Sequence, residues 1–172
     1  MEKNFKHVYQ LKISLVGINP TIWRRIHVPD TYTFSNLHTA IQQAMGWYDC
    51  HLYEFSTLSG IPLSENDLIR NVIISSPHKK VRYEYDFGDS WLHDILWEKT
   101  LPANDKVQYP LCINGERACP PEDCGGVPGY SHLLQILKNP KNKEYGSMLE
   151  WLGEDFDPEE FNLKEISFAD NE

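Results

Sequence analysis

The sequence predicts an α+β domain: a largely antiparallel sheet of hairpins with one early helix and a helical C-terminal third. Three observations lead there. Segments of strict apolar/polar alternation dominate the first hundred residues and come in pairs joined by turns. One segment of helical period interrupts them between 33 and 46, and helical spacing returns from 131 onward. A length of 172 residues suits one domain, 1–172, with an acidic segment from about 144.

The elements follow in order. Tyr9, Leu11, Ile13 and Leu15 alternate with Gln10, Lys12 and Ser14, the period of a half-buried strand. A turn over Gly17 to Pro20 returns the chain as a second strand, in which Ile22, Arg24, Ile26 and Val28 alternate with Trp23, Arg25 and His27. Thr33 or Ser35 caps a helix carrying Leu37, Ile41 and Ala44 on one stripe, and Gly46 sits where a left-handed C-terminal cap belongs. His51, Tyr53 and Phe55 share one face of a third strand. The stretch from Gly60 to Pro77 offers at best a short helical turn near Leu68.

Val81, Tyr83, Tyr85 and Phe87, then Trp91, His93, Ile95 and Trp97, form the clearest hairpin, turning at Gly88-Asp89-Ser90. Two registers stay open. A two-residue turn sets Glu84 across from His93, and a three-residue turn sets His93 beside Tyr85. Tyr109 to Gly129, rich in Pro and Gly, reads as a long irregular loop, the kind that usually carries function. Ser131 to Lys138 and Lys143 to Leu152 read as helices, and Asp157-Pro158-Glu159-Glu160 as one more helical turn.

Composition excludes several classes. A chain that is 41% hydrophobic and 12% aromatic is neither disordered, collagen-like nor a coiled coil. No apolar run approaches the ~18 residues a membrane span needs, and the N-terminal stretch has no apolar h-region. With Cys50, Cys112, Cys119 and Cys124 as its four cysteines, the chain is expected to be a soluble cytoplasmic protein with reduced thiols and no membrane partner. The net charge is −9, and residues 144–172 place ten acids against Lys164 alone. Such a field repels phosphate backbones, so tight non-specific binding of duplex DNA is not expected. The acidic segment reads as a solvated face, and the partner expected for the chain is an unidentified protein or small molecule.

Three stretches stand out: Pro20-Thr21-Ile22-Trp23-Arg24-Arg25 with the later Leu37-His38, Gly46-Trp47 and His51-Leu52-Tyr53-Glu54-Phe55; Tyr83 to His93, YEYDFGDSWLH; and Gly115 to Gly126, GERACPPEDCGG. Together they resemble the plasmid pRiA4b ORF-3-like family from about Tyr9 to Phe161. That resemblance implies a protein of unknown function from plasmid and transposon contexts, with no established activity.

Read as chemistry, Asp86, Asp89 and His93 cluster around the hairpin turn and form half of a metal or acid–base site, or else a turn former, a loop cap and a core histidine. In the loop, Pro120-Pro121 stiffens the approach and Gly125-Gly126 permits positive φ, so Glu122 and Asp123 are aimed. They either accept from loop amides and from Arg24 or Arg25, or join His51, Asp86, Asp89 and His93 in one acidic pocket. Cys112, Cys119 and Cys124 have C-x6-C-x4-C spacing, with His51, His93 or His132 for a fourth ligand; this is looser than a zinc knuckle and equally suits buried thiols. Zinc or another divalent metal is the one cofactor these residue types suggest. Arg24 and Arg25 form either an anion patch or a structural ion pair with Glu122 or Asp123. Catalytic residues proper cannot be assigned. The first functional reading is a non-enzymatic binding or accessory module linked to mobile elements; the alternative is a metal-dependent hydrolase built on the His/acid pocket.

Overall fold

The computed structural model describes residues 4–153 and 156–169. Six strands, β1 (His7–Leu15), β2 (Trp23–Pro29), β3 (Tyr53–Ser56), β4 (Lys80–Tyr85), β5 (Trp91–Pro102) and β6 (Leu111–Glu116), form one sheet in the order β3-β4-β5-β1-β2-β6. Every pairing is antiparallel. Among the described residues four α-helices accompany it, α1 (Phe34–Met45), α2 (Ile69–Val72), α3 (Gly126–Leu137) and α4 (Tyr145–Leu152), with a short 3-10 turn at Leu163–Glu165. No described helix is long and apolar enough to cross a membrane.

Alternation decides the two faces. Tyr9, Leu11, Ile13 and Leu15 bury beside Ile26, Val28, Ile95, Val81, Tyr83 and Tyr85, and α1 lays Leu37, Ala40, Ile41 and Ala44 over them. Helix α1 starts because the Thr33 hydroxyl accepts from the Asn36 amide while the Asn36 side chain accepts from Thr33, and it stops at Gly46 in a left-handed conformation, φ 80°. On the opposite face Arg25 donates twice to Glu98, at 2.7 and 2.9 Å, and Gln10 adds a bond to the same carboxylate at 2.6 Å. Arg24, one residue away, points into the core face and is only 4% exposed. It donates to the carbonyls of Ala44, Trp23 and Glu116 and to Cys119 Sγ. Neither arginine reaches Glu122 or Asp123.

Several expectations need correction. The irregular stretch from Tyr109 to Gly129 contains β6, which pairs with the edge of β2, and α3 begins at Gly126, with Pro128 in the first turn where its missing N–H costs nothing. The helical C-terminal third is only partly realised, since α3 and α4 are its two α-helices. Asp157 to Glu160 makes a turn and no helix: Asp157 Oδ1 accepts from the Glu159 amide at 2.9 Å, and Arg117 draws the Glu159 side chain away at 2.6 Å. The β4–β5 hairpin adopts neither expected register. Asp86 to Ser90 all lie outside the ladder, Tyr85 pairs with Trp91, and His93 falls opposite Tyr83.

That register buries His93 completely, at 0% exposure. Its Nδ1 lies 3.3 Å from the Tyr83 carbonyl, and the Trp47 ring stands edge-on at 5.4 Å. Burial pushes its pKa down to about 4, so it sits neutral in the core. Burial lowers His38 and His27 as well. Between about pH 4 and the ordinary ~6.5 the unfolded chain binds a proton at His93 that the folded chain does not, so stability rises with pH across this window and is lost as pH falls through it. The His93 contribution amounts to about 3 kcal/mol. Urea melts at pH 4.5 and 7.0 should show that slope, and His93→Gln should flatten most of it; an unchanged slope in the variant would place the titration elsewhere.

Candidate functional site

The site forms where three segments meet at one end of β4: residues 46–52 after α1, the Asp86–Ser90 turn, and the Arg117–Gly125 loop. Trp47 packs its ring on Tyr85, centroids 5.0 Å apart, and its Nε1 donates to the Pro120 carbonyl at 2.9 Å, which docks the loop on the sheet. Tyr85 adds a second tie, its hydroxyl donating to Glu122 Oε1 at 2.5 Å while accepting from the Cys50 amide at 3.1 Å. Burial and the Glu122 carboxylate both push the Tyr85 pKa up, so the phenol stays a donor. The third tie is main chain. Gly126 adopts φ 65°, and a Cβ there would run into the Asp89 carbonyl, so only glycine lets α3 start against the hairpin turn. Asp89 Oδ2 accepts from the Gly125 amide at 3.0 Å across the same junction.

Segment 46–52 is fixed from beneath. His38 on α1 stacks on Tyr53 with centroids 3.5 Å apart, and its two nitrogens lie 2.7 Å from Asp49 Oδ1 and 2.7 Å from the Tyr83 hydroxyl. Gln42 donates to that hydroxyl at 2.9 Å and accepts from the Asp49 amide at 3.1 Å. Because Tyr83 already accepts from Gln42, its proton goes to His38 Nδ1, which leaves Nε2–H for Asp49. Burial lowers the His38 pKa against the opposing pull of Asp49, in keeping with this neutral form.

On that frame His51 stands between two carboxylates. Its Nδ1 lies 3.7 Å from Asp86 Oδ1 and its Nε2 3.2 Å from Asp123 Oδ1. Both aspartates hold left-handed backbone, φ 58° each, a conformation that Asp tolerates better than most residues and that here turns the side chains inward. His51 Nε2 is shielded from solvent yet makes no hydrogen bond among the described residues. One ligand atom from each of His51, Asp86 and Asp123 lies within 4.8 Å of the others, and so does a second set, Cys50, His51 and Glu122. Ligands about 2.0–2.2 Å from an ion sit roughly 3–4 Å apart, so modest side-chain rotations suit either set to a divalent cation. Cys50 Sγ lies 3.5 Å from Glu122 Oε2, and its pKa is raised by desolvation of the sulfur and by the Glu122 and Asp123 carboxylates, against the Tyr85 hydroxyl.

The residues singled out in the sequence divide accordingly. His51, Asp86, Glu122 and Asp123 come together; Asp89 caps the loop amide beside them; His93 lies inside the core. All four cysteines are free thiols, and Cys112, Cys119 and Cys124 do not gather as a ligand set among the described residues. Cys119 instead sits between Arg24 and Met45 Sδ, and burial pushes it up to about 11. His132 pairs with Glu144 at 3.6 Å on the surface. Cys50, Tyr85 and the His38–Asp49 pair were not anticipated. The Cys50-His51 dipeptide is the one sequence signal that could have flagged the first.

The family described as "Plasmid pRiA4b ORF-3-like protein" matches residues 7–165. The chain belongs to that family. "Uncharacterized protein y4hQ" of Sinorhizobium fredii (strain NBRC 101917 / NGR234) is 36% identical over 175 residues, covering 94% of this chain and 90% of its own length. A crystal structure of a protein of unknown function, MM3350 from Methanosarcina mazei Go1, is similar at 44% identity with a TM-score of 0.89, over 96% of this chain and all of that one. These pRiA4b ORF-3-like relatives are described as uncharacterised or of unknown function, so for this family the site geometry is what speaks to activity.

The loop's rigidity gives a direct test. Gly126→Ala should cost about 3 kcal/mol or more in urea denaturation, because left-handed strain adds to the clash with Asp89. Glu122→Gln keeps size and most bonds and should cost about 1 kcal/mol or less. Equal losses would show that the Gly126 junction does not hold the loop.

Proposed function

We propose that this chain is a divalent-metal-dependent hydrolase whose centre is His51, Asp86 and Asp123, with Glu122 and Cys50 alongside. One observation carries the reading: an imidazole held between two carboxylates, its solvent-shielded Nε2 3.2 Å from Asp123 Oδ1 yet outside hydrogen-bond geometry. A divalent ion at such a three-residue site supplies Lewis acidity and acidifies water. Glu122 stands beside the centre as the proton acceptor, oriented by Tyr85 and the Tyr48 amide and left with Oε2 toward Cys50. The left-handed backbone at Asp86, Asp123 and Asp49 supports the same reading, since conformations of this kind concentrate at functional sites.

A second reading, a non-enzymatic binding or accessory module serving a mobile element, keeps support from the exposed apolar side chains of Tyr48, Leu52 and Phe87 beside the centre. Both readings accommodate a bound ion, and only the first gives Glu122 a chemical task.

The metal is tested first. Tag-free protein should take up one zinc or manganese ion per chain in calorimetric titration, and its melting temperature should rise at saturating ion, by about 2.7 kcal/mol of stabilisation at one hundred times Kd. Asp86→Asn and Asp123→Asn should each weaken binding at least tenfold, and EDTA should reverse the melting shift. Sub-stoichiometric uptake with no shift would sink the metal centre.

A further inference from the structure

The rim of the His51 centre is apolar. Tyr48, Leu52 and Phe87 are 84%, 74% and 53% exposed, and each adjoins a residue of the site. Tyr48 precedes Asp49 and gives its amide to Glu122 at 3.3 Å; Leu52 follows His51 and its carbonyl accepts from the Asp86 amide at 2.9 Å; Phe87 follows Asp86. The main chain of Tyr48 and Leu52 is thus pinned into the site, and the side chains of all three stand in water. Full burial of one such side chain is worth about 1.5–3 kcal/mol, and three together on one ordered surface mark a place where something docks.

Charge selects the occupant. Asp49, Asp89, Glu122 and Asp123 line this surface with the buried Asp86 behind them, and none of the five pairs with a lysine or arginine among the described residues. Of the described basic side chains, Arg25 pairs with Glu98, Lys80 and Arg82 with Asp94, Arg117 with Glu159 and Lys143 with Glu144. One divalent ion would still leave the surface negative. Phosphate-bearing and acidic ligands are therefore repelled, while a cation beside an apolar group is matched on both counts.

We propose that the Tyr48–Leu52–Phe87 rim and the carboxylates behind it dock a basic, apolar peptide segment of a partner protein. Its aliphatic or aromatic side chains lie on the rim and its lysine or arginine on Asp123 and Asp49. This goes beyond the metal reading and does not require it, because the carboxylates suffice without an ion.

The test is a degenerate hexapeptide array with free, acidic, basic and phosphoserine-bearing positions, probed with the full chain at low salt, once with EDTA and once with zinc. Bound peptides should be enriched in Lys or Arg together with Leu, Phe or Tyr. The best resynthesised basic peptide should bind at least tenfold more tightly than its Glu-substituted counterpart and weaken as salt is raised. Leu52→Ser/Phe87→Ser should lose at least fivefold in peptide affinity while melting like wild type and keeping any zinc affinity unchanged. Loss of zinc binding without loss of peptide binding would strike the hydrolase reading alone. No enrichment, selection of acidic or phosphorylated peptides, or undiminished binding by the double variant overturns the docking surface.

Discussion

The close approach of Gly126 to the Asp89 carbonyl is the contact on which the site depends. A loop of this length has no core of its own and must borrow the sheet's. It does so through one main-chain contact without room for a side chain, one indole bond from Trp47 to Pro120 and one phenol bond from Tyr85 to Glu122. Each tie has a different chemistry, and all three end within a few residues of Asp123. The loop is therefore held as firmly as a secondary-structure element while its carboxylates remain at the surface. Such a combination is expensive to build and unnecessary in a connector.

Burial sorts the titratable groups in a way that composition hides. Two histidines of the molecule, His38 and His93, lie in the core and are pushed toward neutrality, one with both nitrogens on side-chain partners and one facing main chain. A third, His51, sits at the boundary, where a carboxylate faces each of its nitrogens. The two arginines of β2 divide in the same manner: Arg25 finds a carboxylate on the open face, and Arg24, turned inward by the two-residue period, is solvated by main-chain oxygens and a thiol.

What the sequence displays and conceals follows from range. Helix α1 was legible because its signals are local: the Thr33 cap, the Leu37–Ile41–Ala44 stripe and Gly46 lie within 14 residues. The first two strands and the β4–β5 pair were legible by alternation. Strand β6 was not, because Pro110 precedes it and Gly115 interrupts a short run whose strand character comes only from β2 across the sheet. The hairpin register escaped because five residues, Asp86 to Ser90, leave the ladder, two of them in left-handed conformations that no spacing rule announces. For the site, residue types were readable but partners were not. In the sequence His93 and His51 both alternate with aromatic residues, but β3 begins only at Tyr53, so His51 lies in the segment before it, and three-dimensional packing puts one histidine in the core and the other beside Asp86 and Asp123.

The hydrogen bonds beneath the site have one further property. Asp49 N–H to Gln42, Gln42 N–H to Tyr83, Tyr83 O–H to His38 and His38 N–H to Asp49 form a closed circuit in which every donor points the same way round. A ring of this kind has a single proton ordering once any one member is fixed, so the Gln42 amide cannot flip and the His38 tautomer cannot change without breaking the whole loop. Helix α1 thereby imposes a handedness on the segment that carries Cys50 and His51. The inner face of α1 is written partly in polar letters, His38 and Gln42, at positions where packing alone would have asked for leucine.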